Sequence, residues 1–126
     1  MVIRGAVDAS SGAALVPISL RAAPDTEAHP LTAWIDTAFT GDLALPLDTI
    51  RKLGLTRTST VLAVLADGST HKVESYIGFA DWFGEVREVE IVAGQNPIPL
   101  LGVTLLLGCR LEIDYSSLTV CLIRVQ

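Results

Sequence analysis

Apolar and polar residues alternate with a period of two along most of this chain. That spacing turns one face of an extended strand to a core and the other to water. It predicts strands over Val2–Val7 and Ala13–Arg21, joined across the turn-rich Asp8-Ala9-Ser10-Ser11-Gly12. Ala22–Pro30 reads as a polar loop carrying Pro24, Asp25, Glu27 and Pro30. Leu31–Ile35 is an apolar strand that runs straight into Asp36. Thr37–Gly41 interrupts the pattern, and Leu43 and Leu45 resume a short strand that Pro46 stops. Asp48 suits the N-cap of one or two helical turns, with Ile50 and Leu53 facing inward and Gly54 as C-cap.

Asp67-Gly68 is the strongest short hairpin signal, and the strands Thr58–Ala66 and Ser69–Phe79 flank it. Phe83–Ala93 alternates well, with Glu85, Arg87 and Glu88 set among Val86, Val89 and Ile91. Gly94-Gln95-Asn96-Pro97 is a loop. Leu100-Leu101-Gly102 leads into a short helix, Val103–Leu107, that Gly108 ends. Leu111, Ile113 and Tyr115 share one face of a strand, Ser116-Ser117 turn the chain, and Leu118–Val125 is the last strand. About eight to ten strands and one or two short helices describe an all-β fold, a closed or partly open β-barrel.

The 126 residues suffice for a single domain, 1–126, with its own core. Half of them are hydrophobic and the mean hydropathy is +0.50, which excludes a disordered chain. Only 18% are charged, so some apolar surface is expected to lie under a partner. The net charge is −5, and the seven arginines are scattered without forming a basic stripe, which leaves nucleic-acid binding without electrostatic support. Cys109 and Cys121 have no His or Cys partner at ligand spacing, so neither a metal nor another cofactor is expected; buried free thiols on neighbouring strands fit better than a disulfide. No apolar run approaches the roughly 20 residues needed to span a bilayer. The N-terminus has Arg4, Asp8 and two serines where a leader would be apolar. A soluble, cytoplasmic protein is the expectation.

Asp36 is the anomaly. It sits between Ala33-Trp34-Ile35 and Thr37-Ala38-Phe39, in the most apolar neighbourhood of the chain. A carboxylate there must be paired, hydrogen-bonded or protonated. By residue type alone it is a turn Asp that accepts backbone N–H bonds.

Its context resembles the active-site loop of the retropepsin-like aspartic proteases. Asp36-Thr37-Ala38-Phe39-Thr40-Gly41, followed by Leu43-Ala44-Leu45-Pro46, is similar to the Asp-Thr-Gly-Phe-Thr-Gly loop of the small prokaryotic members. Leu100-Leu101-Gly102 before Val103–Leu106 resembles their second signature, and Ala66-Asp67-Gly68-Ser69 falls where they carry a flap hairpin. The resemblance implies an acid-protease β-barrel in which two Asp carboxylates, one from each of two subunits, share a proton and activate a water. One such loop supplies one carboxylate, so a homodimer follows, with Asp36 and its symmetry mate at the axis and a peptide or protein as substrate. Thr37 would bond to the opposing loop, and Gly102 would pack beneath Asp36, where only a residue without a side chain fits. The terminal strands, Met1–Val7 and Leu118–Gln126, would pair either across such a dimer or within one subunit.

Ala38 departs from the pattern, because the family has Gly there. An extra methyl in a packed site costs on the order of 1–3 kcal/mol. Beside the endopeptidase reading stands a second one, a catalytically impaired dimerisation or peptide-binding module that keeps the fold. A β-barrel carrier of small ligands is a third. His71 is read as an exposed strand residue, Trp82 and Phe83 as core, and Arg110 as a surface partner of Asp42 or Glu112.

Overall fold

The alternation becomes ten strands and two short helices among the described residues, 1–64 and 67–125, of the computed structural model. They run in the order β1 (Val2–Val7), β2 (Ala14–Arg21), β3 (His29–Ile35), β4 (Leu43–Pro46), α1 (Leu47–Leu53), β5 (Thr56–Val64) and β6 (Thr70–Trp82). β7 (Glu85–Gly94), β8 (Leu100–Leu101), α2 (Val103–Leu106), β9 (Cys109–Asp114) and β10 (Thr119–Arg124) complete the chain. One sheet takes them all, ordered β5-β6-β7-β4-β8-β3-β2-β1-β10-β9.

Two pairings shape that sheet. β8 is only two residues long, yet it lies between β3 and β4, parallel to β3 (Trp34 opposite Leu100) and antiparallel to β4 (Leu43 opposite Leu101). Further along, β6 pairs with β2 as well as with β5 and β7, so the sheet curls back on itself. Arg21 reinforces that contact with a two-pronged bond to Asp81, at 3.0 and 3.1 Å, and a third bond to the Thr26 carbonyl. The inward positions of the alternation fill the core: Val16, Ile18 and Leu20 of β2 meet Leu43, Leu45, Ile91, Leu101, Leu105 and Leu122, all at most 3% exposed.

Local departures from the sequence pattern have physical causes. Strand β3 begins at His29, inside the expected polar loop, because His29 and Pro30 pair with Leu20 and Ser19 of the already extended β2. Asp48 does not cap α1; Pro46 holds the N-cap position, and Asp48 lies in the first turn, where its charge suits the helix dipole. Gly54 ends the helix in the left-handed region at φ 67°. β6 runs on to Trp82 and reverses through Phe83 and Gly84, at φ 53° and 81°. Two successive positive φ values make the tight hairpin turn that matches strand twist. Phe83 tolerates this because its ring is buried edge-on against Trp82, with centroids 5.1 Å apart. β5 starts at Thr56, two residues earlier than the pattern suggests, while Ala66 lies outside the described residues. Leu100 and Leu101 are strand rather than a lead-in to the helix.

Tyr115 belongs to a turn and not to the face of β9. Asp114 ends that strand by accepting the Ser116 N–H and Oγ–H and the Ser117 N–H. β1 and β10 pair with each other in one chain, Val2 opposite Ile123 through Ala6 opposite Thr119, so both terminal strands are internal to the sheet. Cys109 and Cys121 are free, half-buried thiols. Among the described residues, no helix is long and apolar enough to cross a membrane.

The Ser116 and Ser117 donors hold the Asp114 carboxyl down to about 2 from its usual 3.8. The folded value lies below the unfolded one, so the stabilisation is complete above about pH 4 and is lost as pH falls towards 2. Asp114→Asn is expected to flatten the pH dependence of unfolding between those limits; an unchanged slope in urea titrations at pH 4, 3 and 2 contradicts this.

Candidate active site

β3 delivers Asp36 to the head of a tight turn. Its N–H donates to the Leu101 carbonyl at 2.9 Å, which makes Asp36 the last residue tied to β8. Its carbonyl accepts the Phe39 N–H at 3.1 Å, and its Oδ1 accepts the Ala38 N–H at 3.0 Å. The side chain is half-buried, at the rim of the core and not within it as the apolar neighbours suggested. Thr37, Ala38 and Thr40 are exposed, while Phe39 and Gly41 are half-buried.

Three other aspartates build the same turn with one difference. Asp8, Asp67 and Asp114 each accept both the N–H and the Oγ–H of a serine two residues on, at Oδ1. Serine donors hold all three carboxyls below the usual carboxylate range. At Asp36 the residue two on is Ala38, which has no hydroxyl. The backbone donor remains and the side-chain donor is gone, and Oδ2 is not engaged by the turn.

The floor of the loop is Gly102. A Cβ there would lie 2.1 Å from the Gly41 carbonyl oxygen, 2.8 Å from that of Phe39 and 2.6 Å from the Phe39 ring. Gly102 has φ −100°, which any residue adopts, so the requirement is space and not conformation. Hydrogen bonds close the gap from both sides. The Gly102 N–H donates to the Asp42 carbonyl at 2.8 Å, that of Val103 to Phe39 at 2.8 Å and that of Thr104 to Gly41 at 3.3 Å. The first N–H groups of α2, which no helix satisfies internally, are thereby capped by the loop.

Asp42 completes the brace. Its Oδ1 accepts the Thr104 hydroxyl at 2.5 Å and its Oδ2 accepts the Glu90 N–H at 2.9 Å, so one carboxylate joins the start of β4, α2 and β7. Residue spacing gave no hint of this, since Thr104 lies 62 positions away in the sequence. An acidic residue just before the buried Leu43, Ala44 and Leu45 of β4 was the available signal.

The hairpin expected over Asp67 and Gly68 exists. Gly68 turns at φ 84°, and Ser69 links Asp67 to the His71 ring, whose Nε2 is 3.2 Å from its hydroxyl. His71 is exposed, and so are Leu62 and Val64 on β5. Arg110 pairs with Glu112 at 3.1 Å and not with Asp42. Two shallow hollows flank β1, one beside Arg4 and Thr32 and the other beside Met1 and Phe83; neither includes any residue of the Asp36 loop. Asp36 itself is half-buried, with exposed Thr37 and Ala38 beside it.

No protein-family model matches the sequence, and no curated protein matches it. Among solved structures, the chain is similar to a crystal structure described as a retropepsin-like aspartic protease from Rickettsia conorii. The TM-score is 0.66 at 21% identity, over 97% of this chain and 89% of that one. The fold is retropepsin-like. Within that fold, β8 between β3 and β4 sets the Asp36 loop over Gly102.

Two substitutions test this geometry. Gly102→Ala is expected to destabilise the fold by about 3 kcal/mol, because backbone atoms would have to move. Asp42→Asn and Thr104→Val are each expected to cost about 1–2 kcal/mol, and the double variant less than their sum. Strict additivity in urea unfolding would refute the shared brace.

Proposed function

We infer that the chain is one subunit of a homodimeric aspartic endopeptidase that hydrolyses peptide bonds with a water held between two Asp36 carboxylates. The observation that carries this reading is the Asp36 turn: a half-buried carboxylate beside exposed Thr37 and Ala38, its Oδ1 accepting the Ala38 N–H, in a retropepsin-like fold. Two such loops facing across a two-fold axis bring the carboxylates together, and like charges at that distance share one proton. The ionised member then takes a proton from the water as the oxygen attacks the peptide carbonyl. The protonated member donates to the carbonyl oxygen as the carbon becomes tetrahedral. The C–N bond then breaks as the proton taken from the water passes to the departing amine and a hydroxyl of the intermediate returns its proton to the other carboxylate.

The other parts have matching roles in this reading. The ring of curled strands from β2 round to β6 acts as a barrel that holds the loop rigid. Thr37, exposed beside Asp36, bonds to the opposing loop. The β5–β6 hairpin covers an extended peptide that lies as a strand against it, with apolar Leu62 and Val64 available to side chains. Free Cys109 and Cys121 suit a reducing, cytoplasmic setting.

Ala38 favours the second reading, an impaired module that dimerises or binds peptide without cutting it. Its N–H donates to Asp36 Oδ1, and the loop it resembles has Gly at this position. Cleavage of a peptide library at mildly acid pH separates the two. Asp36→Asn is expected to lose roughly 10²–10⁴-fold in kcat, the usual contribution of a positioned proton-transfer group. Ala38→Gly is expected to raise kcat without altering the fold. Equal activity in wild type and Asp36→Asn removes the protease reading; peptide binding with no cleavage by either the wild type or Ala38→Gly supports the module.

A further inference from the structure

Strand alternation gives Asp36 a face of the sheet as well as a loop. On β3, Leu31, Ala33 and Ile35 pack into the core, so Thr32 and Trp34 are on the outer face. The Asp36 N–H still bonds to the Leu101 carbonyl of β8, so the alternation runs on and Asp36 shares that face with Trp34.

Facing residues of paired strands lie on the same side of a sheet. The Asp36 face therefore takes in Leu15 and Pro17 of β2, opposite Trp34 and Thr32, and Ala6 of β1, opposite Leu15. Arg4, two residues before Ala6, belongs to it too. Leu15, Trp34 and Leu100, opposite one another in turn, are half-buried and take no part in the core.

Beside β1 this face is hollow, because β2 changes neighbours there. On that side Ala14 and Leu15 pair with β1 and Ser19–Arg21 with β6, while Val16, Pro17 and Ile18 pair with neither. Pro17, in the middle of the gap, has no N–H to leave unmade. The hollow measures about 400 Å³, and Arg4, Gly5, Asp8, Leu15, Pro17 and Thr32 are in its lining.

Arg4 is the cation of this hollow, and among the described residues it holds no carboxylate. Arg21, Arg57, Arg110 and Arg124 each pair with one. Arg4 instead donates to the Cys121 Sγ at 3.6 Å, a weak acceptor. The neighbouring acids are already engaged. Asp8, on the rim, accepts from Ser10 and Ser11, and Glu112, on the far side of Cys121, pairs with Arg110. Arg4 is thus exposed with donors to spare in a chain of net charge −5, and its complement is a carboxylate from outside.

We propose that this hollow is a second contact for the peptide substrate, where Arg4 receives the carboxylate of an Asp or Glu about five residues from the bond held over Asp36. Thr32 precedes Asp36 by four residues, about 13 Å, and β1 lies two strands across from β3, so roughly five residues of extended chain bridge the span. Leu15, Trp34 and Leu100 lie along the way and suit apolar residues in between. The proposal rests on the Asp36 reading for what is cut, and on the hollow for what is recognised.

Dodecapeptides with random apolar centres, each made with Glu or Gln at the fifth residue to either side of the centre, test it. Binding is read by fluorescence anisotropy in Asp36→Asn, which removes cleavage, alone and combined with Arg4→Lys, Arg4→Ala or Arg4→Glu. Arg4 is exposed, so all four proteins are expected to share one melting temperature. Glu peptides are expected to bind about 3–10-fold tighter than Gln peptides on one side of the centre. Arg4→Lys is expected to keep that preference, Arg4→Ala to abolish it and Arg4→Glu to reverse it. Cleavage of the same peptides by the wild type is expected to show the preference in KM. A Glu preference of the same size in Arg4→Ala, or none in any background, overturns the second contact; cleavage by the wild type then leaves the endopeptidase reading standing. An Arg4-dependent preference without cleavage by the wild type upholds the contact and overturns the endopeptidase reading.

Discussion

The Asp36 loop and the start of α2 meet across Gly102 with no room for a single methyl group. Everything near the site depends on that closeness. The gap exists because β8, two residues long, is wedged between β3 and β4, and the chain must leave it at Gly102 directly under the loop. Closeness then lets carbonyls of Phe39 and Gly41 cap α2, and lets Asp42 reach both Thr104 and the Glu90 N–H. A strand edge, a helix start and a turn thus satisfy one another's polar groups where each alone would leave them open.

The same chemistry explains why Asp36 differs from the chain's other turn aspartates. Asp8, Asp67 and Asp114 spend Oδ1 on a serine hydroxyl as well as a backbone N–H, and their job is finished there. Ala38 withholds that hydroxyl from Asp36. Ala38 therefore keeps the carboxylate less committed to its own turn than a serine would.

Much of this was legible in the sequence, and the reasons divide by range. Strand alternation, the Gly54 cap and the Asp67-Gly68 hairpin are local effects, and local patterns show them. The order of Asp36, Asp67-Gly68 and Leu100-Leu101-Gly102 carried the resemblance on which the fold expectation stood. Three features were hidden. The Phe83-Gly84 turn lacks the usual Asn or Asp because burial of the Phe83 ring stabilises its positive φ. β8 is too short to show a period, and only its two flanking strands make it a strand. Asp42 acts on residues far along the chain, and no spacing rule reports such a brace.

The central claim is that two Asp36 carboxylates form one proton-sharing site. A crystal structure of the protein at a concentration where it self-associates tests this most directly, through the distance between the two Asp36 side chains. The account requires carboxylate oxygens of the two subunits within about 2.5–3.5 Å of each other, across a two-fold axis. A dimer that holds the two Asp36 residues well apart, each facing solvent, would contradict it.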